Sequence, residues 1–437
     1  MVMLQKPFVL MFAGIVMLSA ALLSVPVHGQ IAVRNQGYVP FSEPPIDYRG
    51  EVHDPVARLQ QRLDRGDVTL AYEPVNGYLK SVLDALEIPV SSQTLVFSKT
   101  SFQYKKISPQ TPRALYFNDD VYVGKVRDGK AIELVSFDAR QGAIFYLLDE
   151  QRAERPVFQR AELDCTQCHV AAATRGVPGV LLRSIFAGPS GTQAAQTASF
   201  VTGHQSPLNE RWGGWYVTGS RGGGAPHMGN AVVEDRDHPE QLDRAAGANV
   251  LDLSTRFDTS AYLSRHSDIV AHLVLAHQTQ MHNLITLTNY QARLAAYAGA
   301  GAAQYERPAE ELVRYLLFAN EAPLDGPIAG TSGFAEVFAA RGPRDARGRS
   351  LRDFDLRTRI FKYPCSYLIY SEDFDALPDA PKRYVYRRLL EVLSGQDTSG
   401  AFAHLTASDR RAVFEILLAT KRDLPADWNT YGTRSSR

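Results

Sequence analysis

Cysteine is scarce in this chain, with three among 437 residues. That excludes a fold stapled by disulfides, which takes more cysteines and an even number. Methionine is scarcer than its count of six suggests, because Met1, Met3, Met11 and Met17 crowd the N-terminus and leave only Met228 and Met281. Neither sign of charge prevails: 47 basic residues face 47 acidic ones, and no basic run marks a nucleic-acid partner. No P-loop, dinucleotide fingerprint or Ser-His-Asp order is present, so a nucleotide or an acyl-transfer centre is unsupported. Internal repeats and low-complexity tracts are also missing. Beyond residue 25 no apolar run is long enough to span a bilayer.

What is present begins with an export pattern. Lys6 precedes an uncharged apolar run from Pro7 to Val25, and Val27, His28 and Gly29 then lead to Gln30. A charged head, an apolar stretch and a small-residue exit read as a secretory signal cleaved after Gly29. The expectation is a periplasmic or secreted protein with no membrane span once residues 1–29 are removed. The remaining length allows two or three domains.

Residues 30–93 read as an extended arm followed by short helices. Asp54 caps a helix opened by Pro55 and stopped at Gly66, with Val56, Leu59 and Leu63 on one face. A second helix over 77–86 buries Leu79, Val82, Leu83 and Leu86, and Pro89 ends it. Over 94–160 the period changes to two. Short apolar runs at 95–97, 114–117, 121–123, 132–135 and 143–148 are separated by turn residues, a pattern that predicts an antiparallel meander of four or five strands. Asp128-Gly129 is its strongest hairpin signal. Residues 161–300 contain Gly- and Pro-rich loops from 176 to 229, then one long helix over 268–297. Residues 301–437 predict helices at 308–319, 380–394 and 407–420. The fold class expected is α+β, an antiparallel β-rich N-terminal part followed by a mainly α-helical part that runs to the C-terminus.

The residues that promise chemistry are Cys165-Thr166-Gln167-Cys168-His169, a C-x-x-C-H sequence. Two thiols three positions apart on a helical turn can add to the vinyl groups of a haem, and the following imidazole can ligate its iron. A thioredoxin-type pair would follow a strand in a βαβ unit, whereas the strands here read as antiparallel. A structural zinc would need a second pair of Cys or His ligands, and none is visible. The pentapeptide resembles the attachment motif of bacterial c-type cytochromes. The strand-rich lead-in is more distantly similar in layout to cytochrome P460. The resemblance implies one covalent haem c, held by Cys165 and Cys168 with His169 as proximal iron ligand.

Haem chemistry turns on the opposite face of the iron. Met228, 59 residues after His169 in a Gly-rich loop, and its neighbour His227 are the candidate distal ligands, with His204 a third. Arg211, Trp212 and Trp215 are candidate haem contacts, the arginine for a propionate. His272, His277 and His282 recur every five residues on the long helix. Successive members point about 140° apart, so they do not form a metal site. His277 and Met281 do share a face, and packing is the simpler role for both. Cys365 reads as a buried apolar residue. Two functions follow as expectations. One is a mono-haem cytochrome in electron transfer with a redox partner protein. The other is a haem enzyme, peroxidase- or oxygenase-like, acting on a small oxidant through an open iron site. A second C-x-x-C-H, as in di-haem peroxidases, is absent.

Overall fold

The computed structural model describes residues 39–435 except 224, 225, 236 and 240. The export signal, part of the arm, and Gly224 and Ala225 of the Gly-rich loop lie outside the described residues. The fold is α+β, an antiparallel β-rich N-terminal region followed by a mainly helical C-terminal region.

Helices α1 (Pro55–Asp64) and α2 (Leu79–Ala85) precede the strands. Asp54 caps α1 by accepting hydrogen bonds from Val56 N and Ala57 N. The strands are β1 (Thr94–Val96), β2 (Arg113–Phe117), β3 (Val121–Lys125), β4 (Ala131–Asp138), β5 (Gly142–Asp149), β6 (Phe158–Arg160), β7 (Arg183–Ile185), β8 (Ser199–Val201), β9 (Trp215–Tyr216), β10 (Ser220–Arg221) and β11 (Ile328–Ala329). Between β6 and β7 stands α3 (Glu162–His169). The main sheet is larger than the expected meander, with seven strands in the order β6-β5-β4-β3-β2-β1-β9. Its two additions, β6 and β9, are three and two residues long. Runs that short carry no readable alternation, which is why periodicity misses them.

Alternation along the strands buries both faces. Val121, Val123, Ile132, Leu134, Ile144 and Tyr146 pack with α1, α2 and residues 39–48. Tyr122, Phe137, Ala143 and Phe145 turn the other way, towards the helices. The central member of that second layer is α5 (Ile269–Ala298), which follows the short α4 (Arg244–Gly247). At 30 residues it is about 45 Å long. It is buried on nearly every side, as befits a helix with no polar outer face. Asp268 caps its N-terminus, and the same carboxylate accepts from Thr331 N and Ser332 N. Gly299, at φ 62°, closes its C-terminus in the left-handed conformation. Gly142 lets the sheet approach this helix, because a β-carbon there would stand 2.5 Å from Thr286 Cγ2.

Around α5 lie α6 (Ala303–Leu316), α7 (Phe334–Ala340), α8 (Glu372–Asp375), α9 (Asp379–Leu393), α10 (Ala407–Thr420) and α11 (Ala426–Ser435). Among the described residues no helix is long and apolar enough to cross a membrane.

Candidate functional site

Helix α3 carries the C-x-x-C-H sequence on the shoulder of the sheet. Leu163 on it is 68 % exposed. Cys168 faces solvent, whereas Cys165 is half-buried and packs against the main core. Burial, followed by the charges of Glu133 and Asp164, pushes the Cys165 thiol up to about 11, so it stays protonated at neutral pH. The His169 ring lies against Phe145, with centroids 4.9 Å apart. Its Nδ1 is 2.8 Å from Gly179 O. A carbonyl can only accept, so Nδ1 carries the proton and Nε2 is the bare acceptor. Burial lowers the His169 pKa, which keeps the ring neutral. Gly179 must be glycine here, since a β-carbon would fall 2.1 Å from Asn283 Oδ1 of α5.

The expected distal ligands and haem contacts are engaged elsewhere. Met228 is fully buried in a small cluster with Ala231, Val233 and Leu242. The His227 ring meets the edge of Trp212 at 5.1 Å, and its Nδ1 accepts from Gly229 N. Burial, then the charge of Arg221, pushes His227 down to about 4. His204 Nδ1 stands 2.9 Å from His277 Nδ1, and the two rings stack between Tyr315 and Phe318. Arg211 is fully buried and donates to Ser206 O and His204 O, each at 2.7 Å. Trp215 Nε1 donates to Arg183 O. Met281 packs in the main core, and so does Cys365, whose thiol burial pushes up to about 12.

The three histidines of α5 behave as their spacing requires. His272 Nε2 is 3.0 Å from both Ser267 Oγ and Tyr216 O. His277 Nε2 meets Ser366 Oγ at 2.7 Å. His282 meets Asp373 Oδ2 and Asp119 O, both at 2.8 Å. Three faces of one helix thus reach three separate sets of partners.

A different part of the molecule opens to solvent. At the end of the sheet a cleft of about 630 Å³ lies between the 72–79 segment, the β3–β4 hairpin and the chain after β5. Tyr72 and Tyr262 contribute aromatic surface to its wall, with the buried Tyr116 behind them. Lys125 and Glu150 face each other at 2.6 Å inside it, with side chains 16 % and 12 % exposed. Burial raises the Glu150 pKa against the opposing pull of Lys125. Arg127 and Lys130 bring positive charge to the rim, and Asp128 and Asp149 balance it. Gly77, at φ 59°, allows the near wall to close in, because a β-carbon would lie 2.4 Å from Glu150 Oε2.

Comparison with known proteins supplies no relative: no protein-family model matches the chain, and neither a curated protein nor a solved structure is similar to it.

The haem expectations are corrected by this arrangement. Among the described residues no group of three or more His, Cys, Asp or Glu side chains could hold a metal ion. Cys165, Cys168 and Cys365 are free. Cys165 is half-buried against the core while Cys168 is exposed. Met228, His227 and His204 are each held by partners of their own. The resemblance to c-type cytochromes and to cytochrome P460, the covalent haem c with its iron, the electron-transfer role and the haem-enzyme alternative therefore do not stand. The resemblance rested on five contiguous residues, and a local motif says nothing about what the rest of the fold brings opposite it. The cleft went unread for the complementary reason. Its residues come from five separated segments, and only the Asp128-Gly129 turn gave a local signal.

Proposed function

We propose that the chain is an exported protein that binds a small, neutral, hydroxyl-rich molecule of the saccharide class in the cleft at the sheet end. Export is supported by the charged head, apolar run and small-residue exit of residues 6–30. The binding reading is carried by one observation, the cleft of about 630 Å³, a size within the range that small-molecule sites occupy. Its chemistry narrows the class. Tyr72 and Tyr262 offer aromatic surface suited to the C–H face of a sugar ring. Lys125, Arg127 and Lys130 are matched by Asp128, Asp149 and Glu150. A net-neutral wall with donors and acceptors of both signs favours an uncharged polar ligand over an ionic one.

The test is thermal unfolding of the mature protein with neutral mono- and disaccharides, beside amino acids and sugar phosphates of similar size. Neutral saccharides should raise Tm, since a ligand that binds only the folded state stabilises it by mass action. Tyr72→Ala, at a residue 37 % exposed, should weaken that response without altering unliganded stability by more than about 0.5 kcal/mol. Absence of any shift at 10 mM saccharide, or stronger shifts from the charged solutes, would overturn the reading.

A further inference from the structure

The segment between α7 and α8 concentrates positive charge in a chain that is neutral overall. Residues 341–362 hold seven arginines and Lys362 against three aspartates, a net charge of +5. Part of this charge is absorbed by the fold. Arg352 is buried against Asp119, and Arg359 pairs with Asp409 at the start of α10. Arg349 is held by Asp345 and by Glu415. The remainder faces solvent. Glu415 is shared by Arg347, Arg349 and Arg411, three guanidiniums on one carboxylate, with Arg347 and Arg411 70 % and 76 % exposed. Arg341, Arg357 and Lys362 are exposed and form no ion pair among the described residues.

These cations belong to one segment that is folded on itself and tied to α10. Residues 353–362 fold back on themselves, with Lys362 N donating to Asp353 O and Phe354 bridged to Phe361. Asp353 in turn receives Arg344 at 2.9 Å. The pairs Arg359–Asp409 and Arg347–Glu415 fasten the segment to α10. We propose that this segment is a docking surface for an acidic protein partner. Guanidiniums are planar forks suited to carboxylates, and Arg347 and Arg411, each held at one nitrogen by Glu415, leave their other N–H groups to solvent. The same interleaved carboxylates would repel a uniformly anionic lipid surface. A membrane site also needs apolar side chains to insert, and Val337, 42 % exposed on α7, is the one large apolar side chain of α7 or the 341–362 segment that is substantially exposed.

The test measures binding of a fluorescently labelled poly-glutamate peptide to the mature protein by anisotropy, with phosphatidylglycerol vesicles as a second probe. The peptide should bind at 50 mM NaCl and lose affinity steeply by 200 mM, as screened surface charges require. Arg341→Gln/Arg357→Gln/Lys362→Gln removes three exposed cations that form no ion pair among the described residues and should weaken binding about tenfold. Arg62→Gln/Arg155→Gln/Arg183→Gln removes three exposed arginines elsewhere and should change it less than twofold. Equal losses in the two triple variants, no binding at 50 mM NaCl, or preference for the vesicles would each overturn the proposal. None of these outcomes bears on the cleft.

Discussion

His277 and His282 stand five residues apart on α5, both without solvent exposure, yet their environments drive their pKa values in opposite directions. Among the described residues no acid contacts His277, which meets His204, the hydroxyl of Ser366 and the rings of Tyr315 and Phe318. Burial holds its pKa well below the ordinary value, with His204 adding to the effect. His282 suffers the same burial, but Asp373 lies 2.8 Å away and Asp120 nearby, and their attraction outweighs the desolvation and raises its pKa. One helix therefore carries, on different faces, an imidazole held neutral and one whose protonated form is favoured. Depth of burial does not decide the charge of a buried imidazole; the reach of a carboxylate does.

The largest effect that would break this comparison is removal of the acid. Asp373→Ala leaves a buried imidazole without its counter-ion and should cost about 3–5 kcal/mol in chemical denaturation. Ser366→Ala, the matching change at His277, removes a hydrogen bond between neutral groups and should cost about 1 kcal/mol. Similar costs for the two would mean that His282 is not charged.

The pH profile sharpens the same contrast, and the signs oppose. His282, with its folded pKa raised, contributes stability that is present below about pH 6.5 and is lost as pH rises through its folded value. Asp120 acts in the same sense. Burial, then Asp373 and Asp119, pushes it up to about 7, so stability falls as pH climbs from the ordinary carboxylate range towards that value. Glu372 adds to this repulsion, while the protonated His282 opposes it. His204 and His272, both held down to about 3 by burial, do the reverse: the unfolded chain takes up their protons below about pH 6.5, and stability falls with pH. Each should contribute about 1 kcal/mol of loss between pH 6.5 and 5.5. His204→Phe should flatten the acid limb by that amount, and His282→Gln should flatten the limb above pH 6.5. Denaturation midpoints measured at half-unit pH intervals separate the two.

Much of the fold was legible because it was written in local patterns. Asp54-Pro55 opened α1 where expected, and Asp268 and Gly299 frame the long helix within a residue or two of its apolar limits. The turn at Asn118, Asp119 and Asp120 is less telling than Asp128, whose φ of 55° suits the β3–β4 hairpin. The five-residue histidine spacing correctly excluded a shared ligand face on α5. What could not be read was which residues distant in sequence would meet. Asp373 lies 91 positions from His282, and Ser366 lies 89 from His277. Nothing local distinguishes a histidine that will find an acid from one that will find a hydroxyl. The C-x-x-C-H turn failed as a guide for the same reason, since its chemistry depended on partners that the fold places elsewhere.

The smallest expected effect on stability concerns the cysteines, and it carries the comparison of buried with exposed groups to a second side-chain type. Cys168 faces solvent on α3, Cys165 is half-buried with its thiol held protonated, and Cys365 lies fully inside the core. Thiol reactivity follows exposure and the thiolate fraction. The native protein should therefore label rapidly at Cys168 with a maleimide, slowly at Cys165, and at Cys365 only after unfolding, as read by mass spectrometry of the digested chain. Cys168→Ser should abolish the fast phase and change stability by less than about 0.5 kcal/mol, because its side chain faces water. Failure of both Cys165 and Cys168 to label even in denaturant would mean that their sulfurs are already bonded.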